Sequence, residues 1–441
     1  MTGSRSWGAA LAAAVVALLL TGCNGDSRPS KPAVSTSRAA ECTSSVSSLL
    51  AVTQRYLDAV GGTRVGGSPG GESPRPDASS PPAASPTGTA SVDLVSEQEQ
   101  FTSALKNIRA YASSRGCDPR AFEADLATGL RTLRTGGPVA KAVLLQLRGA
   151  PAPRAGAALR PGDDVAAAIA AAPDGGTVLL GAGTFALSDT VALLRGVTLR
   201  GAGRDSTTLQ ATVASGPLLV LSADRVTLQD LTIRRTGSVP GPVVSAGPTA
   251  TLTVSHARVS GARADRSGLG GVGILMSGGP GGQTAAVRRT TLTVIDSELV
   301  DNAVAGVVLA GEHRADIRRT LFARSAQCGI CFLATSDGLV RDSRFVDNGA
   351  GVVSAGDARP KLTESEVTGG QVGIQVIDRS APEISNVTVT GPVRAAMIWT
   401  ATARGRVEGN RCLRVTFGIV VGPHALPYLG ANACGVARGR Q

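Results

Sequence analysis

Two carboxylates and one guanidinium recur in this sequence at a fixed spacing. Asp301, Arg324 and Asp347 are 23 residues apart, and both aspartates belong to the phrase Val-Asp-Asn. If each 23-residue unit is one coil of stacked strands, the two carboxylates lie two coils apart, at roughly 9–10 Å. That separation is near the upper end used by inverting glycoside hydrolases, and an arginine between the carboxylates could hold a uronate. The three residues are therefore candidate catalytic residues.

The same residues also fit a purely structural role. An acid, a base and an acid at equivalent positions of successive coils would form a surface ion ladder, whereas like charges there would repel. Asp296, Arg319 and Asp342 repeat the alternation five residues earlier in each unit. Asn302 and Asn348 suit the turn itself, since asparagine tolerates a left-handed backbone and hydrogen-bonds to nearby peptide groups. The pattern leaves catalysis and a solvated ladder both open.

Apolar residues explain the spacing of the charges. Anchor positions recur every 22 or 23 residues at Val294, Ile317, Val340, Leu362, Ile384 and Val407, and a gap of 40 residues precedes the first of these, back to Val254. Within a unit the apolar residues alternate, as Ile374 and Val376 do, which is the period of a strand and not of a helix. Leucine-rich repeats have similar units, but their Leu-x-x-Leu-x-Leu frame is missing here. The sequence predicts a β-solenoid of about ten coils, about 45–50 Å long.

The beginning of this region resembles a known family. Residues 163–187 read DDVAAAIAAAPDGGTVLLGAGTFAL, where Asp163 and Asp164 can cap a short helix and Pro-Asp-Gly-Gly ends it before a strand. Together with VTLRGAG at 197–203, this stretch resembles the opening of secreted right-handed parallel β-helix proteins, the pectin-lyase-like superfamily. The resemblance implies a mainly β fold: a right-handed parallel β-helix over residues 163–435, with an N-terminal capping helix.

The resemblance also implies a class of ligand. The enzymes of this superfamily cleave, de-esterify or epimerise acidic polysaccharides, but the motifs of polygalacturonases, alginate epimerases and pectate lyases are missing from this sequence. We therefore favour a surface binding or structural module for polysaccharide or cell-envelope partners. The alternative is a lyase, hydrolase or epimerase acting on acidic glycans. The long insertion after the Val254 coil would supply a cleft, with groove candidates at Arg263, Asp265, Arg266, Arg288 and Arg289.

Composition argues against other classes of function. The 56 glycines and 3% aromatic residues favour a β-rich repeat over a helical or aromatic-rich protein. The net charge of +11 is spread along the chain and not gathered into a basic tail or helix, so we expect no nucleic-acid partner. His256, His313 and His424 show no metal-ligand spacing, and neither a metal nor another cofactor is expected. We expect a monomer.

The N-terminus predicts export. Arg5 precedes an apolar run at 9–20, which has the length of a secretory signal core and is too short to span a bilayer comfortably. The run ends in LLLTGC, which resembles the lipobox of bacterial lipoproteins and implies that Cys23 is lipidated after removal of residues 1–22. An ordinary cleaved signal is the alternative. The resemblance implies a protein held to the cell membrane by its lipid, outward-facing or periplasmic, with residues 23–40 as a flexible tether.

A small helical domain should follow the tether. Residues 41–149 carry helical apolar spacing, interrupted at 61–95 by a Gly, Ser and Pro-rich insert that we expect to be disordered. Cys42 begins the first predicted helix and Cys117 follows the second, so an antiparallel hairpin would bring them within disulfide distance. Residues 150–162 read as a linker to the β-helix, and residues 436–441 as a tail.

Four further cysteines lie in the repeat region. Cys412 and Cys434 fall in the last coil and the segment after it, where a disulfide would pin the open end of the solenoid. Cys328 and Cys331 lie within one predicted strand, where an extended backbone places their sulfurs on opposite faces. They are expected to form either a disulfide that needs a local turn or two inert thiols.

Overall fold

The computed structural model describes residues 33–62, 94–136, 138–148, 157–211, 216–247, 249–264, 270–277 and 290–439. The predicted lipidation site Cys23 and most of the predicted insert lie outside these ranges. So do the groove candidates Asp265, Arg266, Arg288 and Arg289. No helix within the ranges combines the length and hydrophobicity needed to cross a bilayer.

Four helices precede the repeat region. They are α1 Ala33–Gly62, α2 Leu94–Ser114, α3 Pro119–Leu130 and α4 Pro138–Arg148. The predicted disulfide between Cys42 and Cys117 is confirmed, and it joins α1 to the loop that follows α2. Helix α1 begins within the predicted tether and ends at the start of the predicted insert, because no proline or glycine interrupts the chain between Ala33 and Val60.

Each coil of the repeat region contributes strands to three faces, and the strands within a face are parallel. Face A contains β1 Thr177–Leu179, β4 Thr198–Arg200, β7 Val226–Gln229, β10 Leu252–Ser255, β13 Thr290–Ile295, β16 His313–Arg318, β19 Asp337–Arg341, β22 Arg359–Thr363, β25 Glu383–Ser385, β27 Arg406–Glu408 and β29 Tyr428–Leu429. Face B contains β2 Gly183–Leu187, β5 Thr207–Ala211, β8 Thr232–Arg235, β11 Arg258–Ser260, β14 Glu298–Val300, β17 Leu321–Ala323, β20 Arg344–Val346 and β23 Glu366–Thr368.

Face C completes each coil. It contains β3 Val191–Leu193, β6 Leu219–Leu221, β9 Val244–Ala246, β12 Val272–Ser277, β15 Ala305–Ala310, β18 Cys328–Leu333, β21 Ala350–Ser354, β24 Val372–Val376 and β30 Val436–Arg438. The long strands β26 Thr388–Trp399 and β28 Arg411–Val421 run through both face B and face C. Strand β30 pairs with β28, so the solenoid extends into the predicted tail.

Stacked apolar residues hold the coils together. Ile330 is aligned with Val352 and Val352 with Ile374 in the parallel register, and all three are buried. On face A, Val294 and Ile317 are aligned in the same way. Each coil alone could not bury its apolar face, so the column of branched side chains is what makes successive coils cohere. The predicted mainly β solenoid of about ten turns is confirmed.

Helix α5 Val165–Ala171 closes the first end of the solenoid. Its N-cap Asp164 accepts a hydrogen bond from the Ala167 amide at 2.9 Å, which satisfies one of the free donors of the first turn. Ile169 is 1% exposed and belongs to the solenoid core. The preceding helices also pack on this end, where Val143 of α4 and Ala192 of β3 share one apolar cluster. The first end is therefore covered by helices.

A disulfide joins Cys328 to Cys331. The expected local turn is wrong, because strand β18 continues through both residues. The parallel register skips Gly329, and the alternation of faces is interrupted there. As a result, Cys328 and Cys331 belong to one apolar cluster, whereas Ile330 and Phe332 belong to the central core. The predicted bond between Cys412 and Cys434 is also present, in the last coil.

Candidate functional site

The chain turns from face B to face C at the three candidate catalytic residues. Asp301, Arg324 and Asp347 directly follow β14, β17 and β20, with φ values of 58°, 58° and 52°. A left-handed backbone is uncommon for residues other than glycine, and here it turns the chain from face B to face C in three successive coils. Equivalent positions in the sequence are thus equivalent positions in space.

The two asparagines do not form the turn in the way expected. Asn302 and Asn348 are 0% and 3% exposed, and neither has a positive φ. Their side-chain amides donate to the backbone oxygens of Val259 at 3.2 Å and Phe322 at 3.0 Å, in the neighbouring coils. Burial makes such hydrogen bonds obligatory, so asparagine occupies the inner position while the exposed corner takes a charged residue.

The predicted ion ladder forms only in part. Arg324 donates Nε and Nη2 to the two carboxylate oxygens of Asp301 at 2.6 and 2.8 Å, and this bidentate contact lowers the pKa of Asp301. Among the described residues, Asp347 makes no ion pair. In the earlier row, Arg319 binds Asp296 in the same bidentate manner, at 2.7 and 2.9 Å.

Outward-facing side chains of face B stack into rows because the parallel strands are in register. One row is Thr208, Thr232, Arg258, Glu298 and Leu321, and the next is Gln210, Arg234, Ser260 and Val300. Neighbouring members of a row are about 4.8 Å apart along the rod. These rows form the floor of a groove.

The groove consists of two adjoining cavities of about 440 and 630 Å³. The charged residues that line the first cavity are Arg204, Asp205, Arg234, Arg258, Glu298, Asp301 and Arg324. The second cavity is lined by Arg234, Arg235, Arg263 and Asp301, together with Gln210, Thr236, Gly237, Ser260 and Gly261. Because Arg234, Ser260 and Asp301 line both, the cavities form one continuous surface, which we call the arginine groove.

Ion pairs organise the first cavity. Arg258 donates Nε to Glu298 at 2.7 Å, and its Nη1 lies 3.1 Å from Asp205. Arg204 approaches the second oxygen of Glu298 at 3.2 Å. Each carboxylate of this cavity is therefore held by at least one guanidinium, as Asp301 is by Arg324.

The structure brings together some of the candidates and separates others. Asp301 and Arg324 line the first cavity, and Arg263 lines the second, where its charge also contributes to lowering the pKa of Asp301. Asp347 lines neither cavity. The catalytic role of these residues stays a prediction.

Sequence reasoning missed most of the arginine groove. Arg204, Arg234 and Arg258 lie on coils of unequal length, where the apolar spacing of 22 or 23 residues does not hold. Glu298 lies on a regular coil, but its row partner Arg258 is 40 residues earlier in the chain. The similar segments VTLQ at 226–229 and LTVS at 252–255 could have indicated these residues. They pair on face A, and their alignment sets the register of the face B strands that follow them.

No group of three or more His, Cys, Asp or Glu residues in the described ranges is arranged to hold a metal. His313 is 1% exposed, its Nδ1 lies 2.6 Å from the Thr290 hydroxyl, and burial lowers its pKa to about 4. A neutral imidazole in this position is part of the solenoid interior.

One family model matches part of this chain. Residues 283–421 match the family model described as right handed beta helix region. No curated protein matches the sequence.

Three solved structures are similar at low identity. The A-module of mannuronan C-5 epimerase AlgE6 from Azotobacter vinelandii is 16% identical over 56% of this chain and 71% of that chain, with a TM-score of 0.36. The GH136 lacto-N-biosidase from Eubacterium ramulus is 10% identical over 78% and 76%, with a TM-score of 0.41. The catalytic unit of a GH87 alpha-1,3-glucanase from Streptomyces thermodiastaticus is 12% identical over 65% and 70%, with a TM-score of 0.29.

Proposed function

We propose, from the premise that this chain carries a right-handed parallel β-helix, that the arginine groove binds an acidic polysaccharide. The observation that carries the proposal is the charge of the groove. Six arginines line the two cavities, at positions 204, 234, 235, 258, 263 and 324, against the three carboxylates Asp205, Glu298 and Asp301. The planar guanidinium matches carboxylate and sulfate groups in a bidentate geometry, so such a surface favours an anionic ligand.

The repeat geometry favours a polymer over a small anion. Rows of outward side chains advance by one coil about every 4.8 Å along the rod. An extended chain lying along face B would therefore meet charged side chains from several coils in turn, including Arg234, Arg258 and Arg324. A ligand with acidic groups on successive residues could engage more than one of these arginines at once, and linked contacts of this kind strengthen binding.

The same contacts favour binding over turnover. A general acid in glycoside cleavage needs a raised pKa. Arg324 instead lowers the pKa of Asp301 by hydrogen bonding, with a further contribution from the charges of Arg258 and Arg263. Asp301 is therefore ionised and held in place. A lyase, hydrolase or epimerase acting on acidic glycans stays as the alternative.

Binding assays with matched variants test the proposal. The mature full-length chain would be titrated with polygalacturonate, alginate and hyaluronate, with dextran as the neutral control. Arg258→Ala should weaken binding of the acidic polymer by about tenfold or more, since it removes a cation from the groove and leaves the polymer facing the Asp205 and Glu298 carboxylates that Arg258 engages. Arg344→Ala is the matched control, because Arg344 stands in the same row beyond the groove, 3.7 Å from Glu366.

Two results would contradict the proposal. One is equal binding of dextran and the acidic polymers; the other is an equal loss in both arginine variants. The same mixtures should be followed for unsaturated products and new reducing ends, since their release would favour the enzyme.

We also propose that Cys23 carries the lipid that holds the protein to the cell membrane. The LLLTGC sequence after the apolar run supports this, although Cys23 lies outside the described residues. Expression in a bacterial host should place the wild-type protein in the detergent phase after phase separation and Cys23→Ala in the aqueous phase. Recovery of the wild-type protein in the aqueous phase, with an unmodified Cys23 by mass spectrometry, would overturn the anchor.

A further inference from the structure

Positive charge is not evenly balanced along the arginine groove. In the first cavity, Asp205 and Glu298 are both engaged by Arg258, and Glu298 is also engaged by Arg204. Asp301 has both carboxylate oxygens occupied by Arg324. Because each acid of this cavity already faces a guanidinium, its charges are largely satisfied within the protein.

The second cavity differs because two of its arginines, Arg234 and Arg263, form no ion pair with a described residue. Arg234 donates to the side-chain oxygen of Gln210, which carries no charge. Arg263 is exposed and forms no ion pair with any residue in the described part of the chain. Within the described ranges, Asp301 is the only acid that lines this cavity, and Arg324 already binds its carboxylate. Two exposed guanidiniums thus line one space, and no carboxylate of a described residue there is left without a guanidinium.

A buried third arginine adds to the excess charge. Arg235 is 2% exposed and donates hydrogen bonds to backbone oxygens only, among them Gly216 at 2.8 Å and Val239 at 3.1 Å. A buried cation satisfied by neutral carbonyls keeps its full charge, and in a poorly solvated site that charge is weakly screened. Its field raises the positive potential of the second cavity.

The wall of the second cavity is held in place before any ligand arrives. The Gly241 amide donates to the backbone carbonyl oxygen of Arg263 at 2.8 Å. The Gly261 amide donates to the backbone carbonyl oxygen of Asp301 at 3.2 Å. Gly261 has a φ of 83°, and a Cβ there would lie 2.2 Å from the Arg235 oxygen. A fixed backbone reduces the entropy that the arginines lose on binding.

We propose that the second cavity is an oxyanion subsite that takes one carboxylate or sulfate substituent of the glycan between Arg234 and Arg263. The inference rests on the proposed function of the groove and adds to it a position for the charged group. The floor residue Ser260 is 6% exposed and lines both cavities, so it marks the place where the two cavities adjoin. The subsite would select glycans by the presence of an ionised substituent.

The test compares a charged oligosaccharide with its neutral counterpart. The mature full-length chain would be titrated calorimetrically with an oligogalacturonate and with the same oligosaccharide after carboxyl reduction, and in a second arm with a sulfated and a desulfated pair. The wild-type protein should prefer the charged member of at least one pair by about tenfold, and the arm that shows the preference identifies the substituent. Arg234→Ala with Arg263→Ala should reduce that preference to about twofold or less, while Arg344→Ala keeps it.

Failure of the subsite and failure of the groove give different results. If the wild-type protein prefers the charged ligand and the double variant keeps the full preference, the subsite is overturned and the groove stands. If the wild-type protein binds no member of either pair, the proposed function fails, and the subsite with it. Because Arg234 and Arg263 are exposed, the double variant should fold, which circular dichroism would verify.

Discussion

The pairs Asp296–Arg319 and Asp301–Arg324 are alike in chemistry and differ in surroundings. Each spans 23 residues, each is bidentate, and all four residues have a positive φ. The first pair lies at the corner between faces A and B, with His256 3.7 Å from Asp296. The second lies at the corner between faces B and C, where it lines the arginine groove.

The difference separates two roles that the sequence pattern merges. A charged residue at a left-handed corner, paired with its neighbour one coil away, is a structural solution that this solenoid uses at two corners. The second corner adjoins residues from the Arg204 and Arg263 segments, which line the two cavities with it. The ligand site is thus defined by neighbouring loops, and the ion pair alone does not mark it.

The largest effect should come from a residue that supports both pairs. Phe322 lies between Arg319 and Arg324 in the chain, is 0% exposed, and stacks on Phe345 with ring centroids 4.9 Å apart. Phe322→Ala should lower the free energy of unfolding by about 3–5 kcal/mol through lost packing and a cavity. Urea unfolding followed by circular dichroism measures this, with Phe322→Leu as the milder control. A loss below about 1 kcal/mol would mean that the packing of Phe322 contributes little to the stability of these coils.

Removing the arginine of each pair should affect ligand affinity at the second corner and not at the first. Arg324→Ala deprives the groove of a cation and leaves the Asp301 carboxylate unpaired there, so affinity for an acidic polysaccharide should fall about tenfold or more. Arg319→Ala should leave affinity within about twofold, since long-range charge effects are screened. Isothermal titration calorimetry measures both. Equal losses would show that the two corners serve the ligand in the same way.

The aspartates should respond in the opposite direction. Asp301→Asn removes an anion that competes with the ligand for Arg324. Affinity should therefore rise a few-fold, which corresponds to the free energy of one exposed ion pair. Asp296→Asn should have no effect on binding. A fall in affinity with Asp301→Asn, or the loss of a turnover seen with the wild-type protein, would instead assign Asp301 a direct role toward substrate.

The smallest effect concerns titration. The arginine partner lowers the pKa of Asp296 and of Asp301, in each case chiefly by hydrogen bonding. A lowered carboxyl pKa means that the pair stabilises the fold above the ordinary carboxyl range and that this contribution disappears as the pH falls through the lowered value. Carboxyl-carbon NMR titration should show both aspartates ionising below the usual range. A normal value for either would mean that its pair is open in solution.

The regular part of the fold could be predicted from sequence because its coils have nearly equal length. Anchors such as Val294 and Ile317 are one coil apart both in the sequence and in the structure. The corner residues Asp301 and Arg324 followed from that spacing. Their bidentate contact did not, since a ladder predicts equal pairing with Asp347.

The arginine groove could not be predicted in the same way. Its residues Arg204, Arg234 and Arg258 lie where paired strands are further apart in sequence: Leu199 and Leu228 are 29 residues apart, and Leu228 and Val254 are 26 apart. Unequal coils hide which outward side chains fall in one row. Backbone hydrogen bonds of Asn302 and Asn348 were expected, but their burial was not, since propensity for a left-handed turn does not say whether the side chain lies inside or outside the coil.

The most direct test of the groove is a crystal structure of the protein with a bound oligogalacturonate. We expect the sugar chain along the outer side of β8, β11 and β14, with guanidiniums of Arg234, Arg258 or Arg263 within about 3 Å of its carboxylates. A well-ordered oligosaccharide on face A or face C, with the arginine groove empty, would contradict it.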